Sequence, residues 1–113
     1  MPQYALLIYH PEGRNPSREE MYEEHQRWQT YTQELVDAGQ YKSSQGLKGV
    51  ESATTVRVRD GERHVTDGPF AETKELLAGV YLIEAEDLDG AIDIGARMPS
   101  AEYGAIEVRP VWG

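Results

Sequence analysis

Val65-Thr66-Asp67-Gly68-Pro69-Phe70-Ala71-Glu72-Thr73-Lys74-Glu75 is the stretch from which the rest of the chain is read. Asp67 offers an acceptor side chain, Gly68 is free to take positive φ, Pro69 is locked near φ of about −65°, and Phe70 adds an aromatic ring, so one backbone shape is favoured. Proline also pushes Gly68 out of the α region. The chain must therefore change direction here while carrying Phe70 toward an apolar surface, and Asp67 is placed to accept hydrogen bonds from amides just downstream. On these residues alone the turn is a structural corner; a site needs converging chemistry as well.

A hairpin feeds that turn. Thr54 to Arg59 alternates, Asp60-Gly61 supplies the residues of a type I′ turn, and Glu62 to Thr66 returns. A two-residue loop sets the register, with Arg59 opposite Glu62, Arg57 opposite His64 and Thr55 opposite Thr66 on a polar face. Val56 and Val58 lie on the other face, opposite Val65 and Arg63. Upstream, Tyr4 to Tyr9 is a short apolar run, read as a central strand buried on both faces and closed by His10-Pro11-Glu12-Gly13. Ser17 and Glu20 form a capping box that opens a helix running to about Ala38 and ended by Gly39, with Met21, His25, Trp28, Thr32 and Leu35 on its inward stripe. Tyr41 to Leu47, with its Ser, Gln and Gly, reads as an irregular extended segment.

Downstream of the turn, Glu72 to Leu77 reads as a short helical or coiled link and Gly79 to Ala85 as a third apolar strand. Asp87 caps a second helix, with Leu88, Ala91, Ile92, Gly95 and Ala96 on one face and Pro99 as its stop. Ala105 to Val111 alternates as an edge or terminal strand. This order predicts one α+β domain over residues 1–113, built on the ferredoxin-like split βαβ plan. Such a sheet carries helices on one face only. Two subunits laying sheet against sheet would bury the other face and enclose a space for a small ligand, so a homodimer is expected.

Composition narrows the partners. The 113 residues suit a single core, and 20 acidic against 11 basic side chains leave a net charge of −9, which disfavours nucleic-acid phosphates and anionic membranes. No apolar run is long enough to span a bilayer, and the N-terminus lacks the layout of a signal peptide, so a cytoplasmic location is expected. With no Cys there is no disulfide and no thiol nucleophile. No phosphate loop or dinucleotide fingerprint is present, so no cofactor is implied. The three His are scattered without ligand spacing, so no metal site is expected.

Tyr4 with Leu6-Leu7-Ile8-Tyr9, Ala53-Thr54-Thr55-Val56-Arg57, the whole of Val65 to Glu75, Asp87-Leu88-Asp89 with Ala91, and the closing Glu107-Val108-Arg109-Pro110 resemble the YCII-related family, in its DGPF-motif branch. The resemblance covers nearly the full chain. It implies a ferredoxin-like domain pairing into a dimeric α/β barrel, and a link in some members to extracytoplasmic-function sigma factors. It also implies a His-Asp dyad with the His on the first helix; counting back from Gly39 puts Trp28 at about the matching place, and His25, one turn earlier on the same face, takes that role only if the helix register differs.

Two functional classes follow. In the first, a lyase or hydrolase acts on a small anionic organic molecule by general acid-base chemistry, with Asp67 and His25 as the catalytic pair. Arg57 and His64 across the hairpin, Phe70 in the turn and Lys74 after it would bind the ligand. In the second, the chain is a non-catalytic ligand-binding or regulatory module associated with a sigma factor. The plain alternatives stand beside these roles: a packing His on an apolar stripe, a cross-strand surface pair, and a solvated Lys beside Glu72 and Glu75.

Overall fold

The structure, a computed structural model, describes residues 1–71 and 73–113. Its elements run β1 (Gln3–Pro11), α1 (Arg18–Asp37), β2 (Tyr41–Gly46), β3 (Thr54–Arg59), β4 (Glu62–Asp67), β5 (Glu75–Glu84), α2 (Leu88–Ala96) and β6 (Ala105–Pro110), with single 3-10 turns at Val50–Ser52 and Pro99–Glu102. Four strands form an antiparallel sheet in the order β2-β5-β1-β6, and β3 and β4 form a separate two-stranded sheet. With the hairpin set aside as an insertion, this α+β arrangement is compatible with the ferredoxin-like plan.

Tyr41–Gly46 differs from its expectation. It is a strand, pairing with β5 from Tyr41 opposite Ile83 to Gly46 opposite Gly79, and it occupies the sheet edge that the plan requires. Its Ser and Gln content hides it because an edge strand needs backbone pairing more than apolar side chains; tertiary context overrides propensity. The hairpin, in turn, lies outside the main sheet. Of the expected link from Glu72 to Leu77, residues Glu75 to Leu77 already belong to β5, and Glu72 lies outside the described residues.

The core lies between one sheet face and the two helices. Tyr4, Leu6 and Ile8 of β1 and Tyr81 and Ile83 of β5 meet Tyr31 and Leu35 of α1, Ala91 and Ile94 of α2, and Met98. β1 is thus buried on one face instead of two: Ala5, Leu7 and Tyr9 remain half-buried on the side away from the helices. The predicted capping box is present, with the Glu20 amide donating to Ser17 Oγ and Glu20 reaching back to the Ser17 amide. Farther along α1 the inward line passes through Trp28, Tyr31, Thr32 and Leu35, whereas Met21 and His25 are exposed. A stripe spaced by alternating threes and fours drifts by about 20° per heptad on a straight helix, which takes its first turns off the core. On α2 the buried residues are Ala91, Ile94 and Gly95, and Leu88 and Ile92 face out. Gly95 brings α2 against Ile106 of β6. The Tyr31 hydroxyl donates to the Ile94 carbonyl at 2.8 Å and joins the two helices. Burial of that phenol holds its pKa well above the usual tyrosine value.

Candidate functional site

The turn after β4 has the shape its residues dictate. Gly68 takes φ of +103°, and its amide donates to the Ala53 carbonyl at 2.8 Å while its own carbonyl accepts from the Thr55 hydroxyl at 2.8 Å. These bonds with Ala53 and Thr55 fasten the turn to the start of β3, and among the described residues the Asp67 side chain makes no hydrogen bond. The hairpin below has the expected register, including Arg57 opposite His64, and both turn residues Asp60 and Gly61 have positive φ. Pro69 and Phe70 then form one wall of a cleft of about 810 Å³. Its other walls include Tyr9, Lys48, Val56 and Leu77. Tyr9 pairs with Leu77 on the sheet face that carries no helix, so the cleft opens along the bare side of the sheet.

Phe70 is therefore in the cleft, with 76% of its surface exposed. The Arg57 guanidinium lies over its ring, 5.2 Å from the centroid, in a cation–π arrangement that backs this wall. His64 is exposed beside Arg57 on the polar face of the hairpin. Asp67 is the exposed last residue of β4, opposite Thr54, and Thr54 lines the cleft. Lys74 is exposed, and its carbonyl accepts from the Glu12 amide at 2.6 Å, tying the exit of the turn to the β1–α1 loop. Nothing in the sequence alone singles out Lys48. A Lys in a Gly-flanked loop is visible in Leu47-Lys48-Gly49, but only the fold brings that loop under Phe70.

A second hollow of about 410 Å³ lies on the helix side, between α1 and the ends of β1, β2 and β5. His25 lines it together with His10, Trp28 and Tyr81. Nε2 of His10 is enclosed and has no hydrogen-bond partner among the described residues. Burial first, and then the nearby Arg14 cation, lower the His10 pKa below the usual imidazole value and so favour the neutral ring. Arg14 itself stacks 3.8 Å from the centroid of Tyr103 and pairs with Glu24, so the loop after β1 is pinned to both α1 and the segment before β6. Within one chain, then, His25 and His10 share a hollow, whereas His25 and Asp67 lie on opposite sides of the sheet. Among the described residues no group of three or more His, Asp or Glu is placed to hold a metal ion, and no helix is long and apolar enough to cross a membrane.

The YCII-related domain pattern matches residues 2–113. The chain belongs to the YCII-related domain family. An uncharacterised protein of Rhizobium meliloti is 38% identical over 112 residues, which is 96% of this chain and 90% of that protein. The likeness thus extends over nearly the whole YCII-related domain, and the relative's description carries no activity with it.

Proposed function

We propose that this YCII-related domain, which we place in the DGPF-motif branch on Asp67-Gly68-Pro69-Phe70, is a homodimeric protein whose cleft takes a small organic anion with an apolar body. The observation that carries this reading is the cleft itself: Phe70, Pro69, Val56 and Leu77 offer apolar walls, and Lys48 offers a cation. A mostly apolar pocket with a few placed polar groups is the usual form of a small-molecule site. Laying two bare sheet faces together would form the dimeric barrel and bring the clefts into its interior. There Asp67 would supply the acid-base group of a lyase or hydrolase, with a His as its partner.

The separation of His25 from Asp67 across the sheet favours a second reading, a non-catalytic ligand-binding or regulatory module that works with an extracytoplasmic-function sigma factor. One set of measurements separates the two. Titration calorimetry with a panel of small aromatic and aliphatic carboxylates identifies a ligand, and Lys48→Ala weakens it by about ten- to a hundredfold, the loss expected for a charge-assisted contact. If the protein is an enzyme, Asp67→Asn abolishes turnover of that ligand while the fold and binding survive. Undiminished turnover in this variant removes Asp67 from the chemistry. Binding without turnover, together with co-purification of a sigma factor, supports the regulatory reading. A Lys48→Ala variant that binds every such anion as well as the parent would refute the cleft.

A further inference from the structure

The β3–β4 hairpin makes an incomplete structure within one chain. It is a two-stranded sheet by itself, and an isolated hairpin of this size is marginal in water unless a third strand or another layer packs on it. One face should be inside, because Val56 and Val65 form a cross-strand pair with Val58 beside them. Yet these three valines are 59%, 59% and 60% exposed, and β4 is exposed at every position.

The dimensions of the molecule agree. A compact domain of this length has a radius of gyration of about 13 Å, whereas the chain measures 16.0 Å and is a plate of 47 × 41 × 19 Å. Its accessible surface is 8202 Å², about 2,000 Å² more than a folded monomer of 12.7 kDa normally exposes. A stable dimer removes about 800 Å² from each partner, so the surplus is large enough for one.

We propose that the hairpin is an arm lying against a second copy of this chain, which covers Val56, Val58 and Val65 and closes the outer wall of the cleft. The idea rests on the homodimer put forward above and adds which element clasps the partner. Val56 belongs both to the exposed valine face and to the cleft lining, so whatever covers that face also bounds the ligand space. The site is therefore incomplete in one chain. Charge permits a second copy as the occupant. Residues 54–67 hold Arg57, Arg59 and Arg63 against Asp60, Glu62 and Asp67, so the net charge of −9 resides on the rest of the chain. The hairpin is a neutral arm with three guanidinium groups, and it meets no net repulsion from the acidic body of another copy.

The test uses the full chain with p-benzoylphenylalanine at Val58, and at Gln33 on the exposed side of α1 as a control. Irradiation is expected to give a covalent dimer from position 58 and monomer from position 33. Sedimentation then follows Val58→Asp and, as a milder change, Val58→Ser; the Asp variant is expected to weaken dimerisation by about tenfold or more. Hydrogen exchange of β1 and β5 amides confirms that each variant is folded. A parent that dimerises but gives no covalent dimer from position 58, and whose folded variants associate as tightly as it does, overturns the arm and leaves the homodimer standing. A parent that sediments only as monomer overturns both.

Discussion

His10 is the residue whose surroundings reach furthest beyond itself. Its ring stands 5.5 Å from that of Tyr103, on which Arg14 stacks while pairing with Glu24, and it shares a hollow with His25. Because its folded pKa lies below the ordinary 6.5, the unfolded chain binds the proton more tightly. Stability from the neutral ring is therefore complete above about pH 6.5 and is lost as the pH falls through the folded value. Carboxylates contribute to acid unfolding as well, so the informative quantity is a difference. Urea unfolding at pH 7.5 and at successively lower pH is expected to show a shallower loss for His10→Asn than for the parent. Parallel curves would mean that His10 titrates alike in both states. At Gly68 the backbone decides: φ of +103° is open to glycine and strained for other residues, so Gly68→Ala is expected to cost about 1–3 kcal/mol in urea unfolding, and no change would mean that the turn relaxes freely.

At the scale of elements, α1 depends on its start and on two buried contacts. Ser17→Ala removes the reciprocal capping bonds and is expected to lower stability by about 1 kcal/mol. Leu35→Ala, by contrast, opens a cavity in the core and should cost about 2–5 kcal/mol. Equal losses in chemical denaturation for the two variants would contradict the core described above. The elements that sequence makes plain are those whose signal is local: the capping box, the Asp60-Gly61 hairpin with its register, the Gly68 turn and the Asp87 cap. Those it hides are decided at a distance. Tyr41–Gly46 is a strand because β5 pairs with it, and α2 buries Ile94 because that side chain meets the core between the sheet and α1. The site divides in the same way. The place of Phe70 in the turn is local, whereas its backing by Arg57, the approach of Lys48 and the enclosure of His10 depend on segments brought together by the fold.

The whole molecule has one helix-covered face, one bare face and an arm with its apolar side in water. Ala5, Leu7, Val80 and Leu82 form the apolar centre of the bare face, with Ser43, Gln45, Glu107 and Arg109 around them by the strand register. An apolar centre with a polar rim is the pattern of a protein interface. Because burial of this face in the proposed dimer would be hydrophobic, association is expected to persist in high salt, where attraction between surface charges is screened. A dimer that dissociates as salt is raised would place the contact on charged surfaces instead. The central claim, that the cleft is completed by a second copy, is tested most directly by sedimentation velocity of the unmodified chain at micromolar concentration. The account predicts a particle of twice the 12.7 kDa chain mass, and a single species of 12.7 kDa would contradict it.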